Sequence, residues 1–204
     1  MTPRTIQLAT LAIASGGVTA CDSLEKAREL LPSRGFYAAS TSMEPTLPKG
    51  SQMMADEVTS EELRRGDILM VKTVHGENYV MRLIALPGDR IAMEAGHIVL
   101  NGTKFEQQPA GTWRIEDDTV GGDFAVFVDK LPGEATPHRI LDQGPSPADE
   151  MAEITLDDDQ YFLMGDNRDN SADSRFPDSM LGLGPVTPGQ IRRRVDPSSI
   201  GYEI

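Results

Sequence analysis

With one cysteine and three histidines in 204 residues, the chain is short of the side chains that most often hold metals or staple small domains. A single cysteine closes no intramolecular disulfide and offers no paired thiolates. His75, His97 and His138 form no His-x-x-x-His pair, and Asp157-Asp158-Asp159 lacks the alternating oxygen ligands and central glycine of a calcium loop. No metal or other cofactor is expected. Positive charge is also scarce, 19 Lys+Arg against 32 Asp+Glu for a net charge of -13, which opposes nonspecific attraction to nucleic acid. No nucleic-acid partner is expected, and Arg192-Arg193-Arg194 reads as a solvated strand or turn face. Long apolar runs are missing too: Ile6 to Ala14 falls well short of the ~20 residues of a spanning helix. What remains, 39% hydrophobic and 25% charged, is the composition of a globular domain with a sizeable core.

The first twenty residues carry one positive charge, Arg4, then the modest apolar stretch, then small residues up to Ala20. That is the layout of a secretory signal peptide over 1–20. Val18-Thr19-Ala20-Cys21 resembles the lipobox after which bacterial lipoproteins are cleaved and lipidated on cysteine, the bland alternative being an unmodified thiol. On the lipoprotein reading Cys21 is the lipidation site. Asp22 beside it resembles an inner-membrane retention signal, so the protein would sit at the periplasmic face of the inner membrane on an acyl anchor. Asp22 as N-cap, Glu25 three residues on, apolar Leu24, Ala27, Leu30 and Leu31, and Pro32 as a stop predict a short tether helix within 21–33.

Beyond Gly35 no run keeps helical spacing for more than a turn or two, the best being Thr59 to Arg65, where Thr59 and Glu62 fit a capping box. The body reads as strands. Asp67 to Lys72 and Tyr79 to Leu86 flank a polar loop and predict a hairpin. Leu86-Pro87-Gly88-Asp89 suits a type II turn, and Asn101-Gly102 after His97 to Leu100 is a strong hairpin signal. From Lys104 to Asp158, acidic pairs and Gly/Pro clusters loosen the pattern around one strand, Phe124 to Val128. The expected organisation is an all-β core over 34–103 and 159–204 with a smaller β insertion over 104–158.

Three segments carry chemistry: Ser40-Thr41-Ser42-Met43-Glu44-Pro45-Thr46-Leu47, Tyr79 to Asp89, and Gly165-Asp166-Asn167-Arg168-Asp169-Asn170-Ser171-Ala172-Asp173-Ser174-Arg175. A serine hydroxyl becomes a useful nucleophile only beside a base and preorganised oxyanion donors. Asp173 and Arg175, two apart, would share one face of an extended segment and a charge-assisted network, with Ser171 one period earlier. In this order and spacing the three segments resemble the bacterial signal peptidase I family, membrane-attached serine endopeptidases that use a serine and a lysine. The resemblance covers roughly residues 35–103 and 160–195. It implies a coiled antiparallel β-sheet fold, with Ser42 as nucleophile and the Ser42 amide and Ser40 hydroxyl as oxyanion donors. It further implies Ser171 as the base's hydrogen-bond partner, with Asp173, Arg175, Arg82 and Asp166 in support. An exported pre-protein or its signal peptide would bind as an added strand beside Ser42.

Where that family carries its lysine, this chain has Met81. Methionine matches lysine in length and cannot accept a proton, and removing the base of a serine protease costs on the order of 10⁴ to 10⁶ in rate. Two readings follow. One is a pseudoenzyme that binds exported peptides or regulates an active paralogue; the other is a weakly active signal or conjugation-type peptidase with a substitute base. For the latter, a regular hairpin pairing Lys72 with Tyr79 and Met70 with Met81 would leave Lys72 diagonal to Met81 on one face, although a one-residue slip reverses that. His75 and His97 do not align with position 81 and read as surface residues.

Overall fold

Short apolar runs, several of them ended by Gly, Asn or Pro, produce a structure built of strands. The computed structural model of the chain describes residues 34–201; the expected signal peptide, Cys21 and the tether helix lie outside the described residues. The strands are β1 (Arg34–Tyr37), β2 (Gln52–Asp56), β3 (Ile68–Lys72), β4 (Asn78–Ala85), β5 (Arg90–Glu94), β6 (His97–Leu100) and β7 (Thr103–Lys104). They continue as β8 (Gln108–Ile115), β9 (Gly122–Asp129), β10 (His138–Asp142), β11 (Met151–Thr155), β12 (Phe162–Met164) and β13 (Ile191–Gly201). Helical structure among the described residues is limited to short 3-10 turns, one of them Ser60–Glu62, where the Glu62 carboxylate accepts the Thr59 N–H at 2.8 Å. No helix among the described residues is long and apolar enough to cross a membrane. The fold is all-β, as expected.

Three antiparallel sheets result. A six-stranded sheet has the order β1-β2-β13-β3-β4-β12, a four-stranded sheet β11-β5-β6-β7, and a three-stranded sheet β10-β9-β8. The predicted turns are present: Gly88 takes φ 80° with the Asp89 N–H on the Leu86 carbonyl, and Asn101 and Gly102 take φ 53° and 80° between β6 and β7.

Period-two alternation feeds separate cores from the same strands. Leu163 of β12 and Leu69, Val71, Met81 and Leu83 of the β3–β4 hairpin form one cluster with Leu63 and Tyr161. Ile84, Phe162 and Met164 point the other way, into a cluster with Ile91, Met93, Ile98 and Leu100. A third cluster packs Met43 and Leu47 against Met53, Ala55, Ile68 and Val195. The hairpin at the centre is therefore covered on both faces, which is why its strands are apolar runs without polar alternation.

The β3–β4 register corrects one expectation. Leu69 pairs with Met81, Met70 with Val80 and Lys72 with Asn78, one residue away from the pairing that would set Lys72 beside Met81. Gly76, at φ 91°, lets the loop close early, with the Thr73 N–H on the Glu77 carbonyl at 2.8 Å. Lys72 consequently lies on the opposite face from Met81 and is exposed.

Candidate active site

The turn after β1 carries Ser40 and Ser42, and it is wound tightly enough that the Leu47 N–H reaches the Met43 carbonyl at 2.8 Å. The two hydroxyl oxygens lie 3.0 Å apart. The chain from Gly165 to Arg175 secures this turn. The Asn167 N–H donates to the Ser42 carbonyl at 3.0 Å, and the Asn170 side-chain amide donates to Thr41 Oγ1 at 2.6 Å.

Arg82 and Asp166 join all three motifs. Arg82 Nε and Nη2 donate to the two carboxylate oxygens of Asp166 at 2.8 and 2.7 Å, Arg82 Nη1 donates to the Gly66 carbonyl at 2.8 Å, and the Thr46 hydroxyl donates to Asp166 Oδ2 at 2.5 Å. Burial alone would raise the Asp166 pKa, but the charge and hydrogen bonds of Arg82, aided by His138 and Thr46, hold it below the usual carboxylate value. A buried pair of this kind is favourable only because its remaining hydrogen-bonding capacity is filled.

Asp173 and Arg175 do pair, by a different route from the one expected. Residues 165–175 are a succession of turns, not an extended segment. Asp173 Oδ1 accepts the Arg175 N–H at 3.1 Å and its Nε at 2.9 Å, while Oδ2 accepts Arg175 Nη2 at 2.8 Å and the Gly165 N–H at 3.0 Å. Arg175 also donates to the Arg168 carbonyl. Burial would lower the Arg175 pKa; the Asp173 carboxylate outweighs that and raises it, so the guanidinium stays charged.

Met81 is 2% exposed, and its Sδ accepts the Ser171 hydroxyl at 3.4 Å. Gly165 makes this meeting possible. A Cβ there would stand 2.2 Å from Ser171 Oγ and 2.6 Å from the Ser42 carbonyl oxygen.

Ser40, Ser42, Met81 and Ser171 all line one cleft of about 910 Å³. Its walls are mostly apolar, and its titratable lining residues are Tyr37, Glu77, Tyr79 and Asp169. Burial and then Glu77 push the Tyr79 phenol above its ordinary value. The histidines lie elsewhere: His75 Nε2 is 3.1 Å from Asp178 at the surface, His97 Nδ1 faces the Phe105 carbonyl, and His138 is buried against Glu134. Among the described residues no group of His, Cys, Asp and Glu is arranged to hold a metal ion.

The cleft also exposes a sheet edge. β12 pairs with β4 only at Arg82, Leu83 and Ala85, leaving residues 78–81 with β3 on one side alone. Leu83 and Glu77 direct main-chain bonds toward the β3 side. Strand alternation therefore directs the N–H and C=O of Asn78 and Val80 away from β3, toward the edge that β12 leaves unpaired.

Sequence reasoning missed Gly165, Asn167 and Asn170 as individuals, although all lie within the polar string it singled out. It also missed Trp113, which bonds to Glu44 across 69 residues of chain with no local signal.

Residues 30–197 match the family model described as signal peptidase, peptidase S26. A signal peptidase I of Bacillus licheniformis is 34% identical over 146 residues, covering 69% of this chain and 64% of its own length. Signal peptidase I S of Bacillus subtilis is 33% identical over 156 residues, covering 74% and 67%. A signal peptidase I of Rickettsia prowazekii is 34% identical over 126 residues, covering 58% and 47%. A crystal structure of a signal peptidase I from Enterococcus faecalis is similar with a TM-score of 0.37 at 20% identity, covering 66% of this chain and 97% of that one. The chain spans just under two thirds of the length of the B. licheniformis relative. With most of its length inside the family model and relatives above 30% identity over more than two thirds of its residues, the chain belongs to the signal peptidase, peptidase S26 family.

Proposed function

We propose that this protein binds an extended peptide of an exported pre-protein as an added strand along residues 78–81, beside Ser42, and that Met81 leaves it with almost no hydrolytic turnover. The observation that carries the reading is the contact of Met81 Sδ with Ser171 Oγ at 3.4 Å, in a cleft whose lining, among the described residues, holds no lysine, arginine or histidine. Ser42 then has the surroundings of a nucleophile and, among the described residues, no lysine or histidine base in its cleft. Its own amide and the Ser40 hydroxyl would serve as oxyanion donors, and Ser171 would be the partner of a base that is missing. Asp166, Arg82, Asp173 and Arg175 hold the turns that present these groups.

The slot itself suits a lysine. Met81 packs with Leu69 and Leu83, and such apolar surroundings lower an ammonium pKa toward the neutral amine that a base requires. Lys72 is withdrawn as a substitute, because its register sends it to the other face. Removal of residues 1–20, lipidation at Cys21, placement at the periplasmic face, and a 104–158 insertion in a 34–103 and 159–204 core belong to the same proposal.

Equilibrium titration of a fluorescent peptide with small residues near its centre, followed by a scan of singly N-methylated versions, tests the binding mode. Strand addition predicts that N-methylation at alternate positions weakens binding about three- to ten-fold and spares the positions between, since each such main-chain hydrogen bond contributes about 0.5–1.5 kcal/mol. A flat profile, or no binding at all, contradicts the proposal.

A further inference from the structure

Both serine-bearing turns are tied to the three-stranded sheet β8–β10, and the ties are unequal. On the Ser42 side, Trp113 of β8, the chain's single tryptophan, donates its indole N–H to Glu44 Oε2 at 2.7 Å. Glu44 lies two residues after Ser42, is 4% exposed, and accepts the Lys49 N–H on its other oxygen at 3.3 Å. Lys49 Nζ in turn meets Asp117, beyond the end of β8, at 2.6 Å. On the Ser171 side, the Leu141 N–H of β10 donates to the Asp166 carbonyl at 2.8 Å and the Arg168 N–H donates back to the Leu141 carbonyl at 3.0 Å. Arg168 also pairs with Asp129 of β9 at 3.1 Å.

Magnitudes identify which contact matters. The Lys49–Asp117 pair has an exposed amine, and such pairs contribute little to geometry or stability. The indole bond ends on a buried carboxylate, is charge-assisted and short, and leaves an expensive unsatisfied oxygen if broken. We infer that Trp113 is a positioning residue for Ser42: by holding Glu44 it sets the serine turn against the Ser171 turn, and β8–β10 is the clamp between them. This rests on the reading of Ser42 and Ser171 as the two sides of a peptide site. It adds that the sheet outside the three motifs fixes their spacing.

The test uses the full chain with Trp113→Phe, which keeps a packed ring and loses the donor, and two changes at Glu44. Glu44→Gln retains an oxygen for the indole; Glu44→Leu does not. Hydrogen exchange of the Leu47 and Lys49 amides is read beside that of the β3 and β4 amides, and kcat and KM are measured for the same changes in a Met81→Lys background. Trp113→Phe and Glu44→Leu should speed exchange at 47 and 49 about ten-fold with β3 and β4 unchanged, and lower kcat about ten-fold at constant KM. Glu44→Gln should restore kcat and exchange at Leu47, while the Lys49 amide, whose acceptor Oε1 becomes an NH2 group, stays fast. Parental exchange in Trp113→Phe, uniform acceleration across all strands, or a rise in KM at constant kcat overturns the inference. If Met81→Lys itself has no activity, the catalytic reading of the site fails, while the exchange measurement still decides the role of Trp113.

Discussion

Replacing Gly165 by alanine would place a Cβ 2.2 Å from the Ser171 hydroxyl oxygen, 2.5 Å from Ser171 Cβ and 2.6 Å from the Ser42 carbonyl oxygen. Ordinary contacts of these atoms lie near 3.5 Å, so the neighbours must retreat by about 1 Å. A new Ser171 rotamer relieves only part of this. The Ser42 carbonyl is backbone, held by the Asn167 N–H at 3.0 Å, and Gly165 itself is held by Asp173 Oδ2 at 3.0 Å. Overpacking of this kind costs about 1–3 kcal/mol, which for a chain of this size lowers Tm by roughly 2–12 °C. Because the clash separates Ser42 from Ser171, peptide affinity should fall with it, by about ten-fold or more for each 1.4 kcal/mol lost at the site. Differential scanning calorimetry and a peptide titration read the two effects. A Tm within about 1 °C of the parent, together with unchanged affinity, would refute the close approach of the two turns.

Asp166→Asn takes the bidentate partner from buried Arg82, leaving Glu134 Oε1 at 3.8 Å as its nearest carboxylate, and should cost about 3 kcal/mol in denaturant unfolding, against little for exposed-pair changes such as Arg114→Ala. The pH dependence follows from the same pair: the folded Asp166 pKa lies below the unfolded value near 3.9, so its contribution is present above about pH 4 and is lost as pH falls through the folded value. Acid unfolding of Asp166→Asn should accordingly show a shallower decline below about pH 4 than the parent. Lys72→Met, on the face away from Met81, should leave stability within about 0.5 kcal/mol of the parent and peptide turnover unchanged, measured by denaturation and by product mass.

Much of this molecule could be read locally. The apolar runs that became β3, β4, β5 and β6, the Pro87-Gly88 and Asn101-Gly102 turns, and the placement of Ser42, Met81 and Ser171 along one cleft all rest on short-range pattern or on motif order. Pairing partners are another matter. β13 inserts between β2 and β3, and β11 joins β5 after the intervening strands β6 to β10, pairings across long stretches of chain that no local period encodes. The hairpin loop was misjudged by one residue, since the positive φ of Gly76 closes it early. That single residue decides which face Lys72 occupies. Asp173 and Arg175 were recognised as partners from their spacing, yet the turn that joins them comes from Asp173 capping the Arg175 N–H, a conformation that alternation does not anticipate.

The central claim is that a preserved site has been silenced at one position. The direct measurement compares cleavage of a peptide with small residues before the cut by the parent, by Met81→Lys, and by Met81→Lys with Ser42→Ala. The account predicts negligible turnover in the parent, a gain of about 10⁴-fold or more in Met81→Lys, and loss of that gain when Ser42 is removed. Robust turnover by the parent, or a Met81→Lys gain that survives without Ser42, would contradict it.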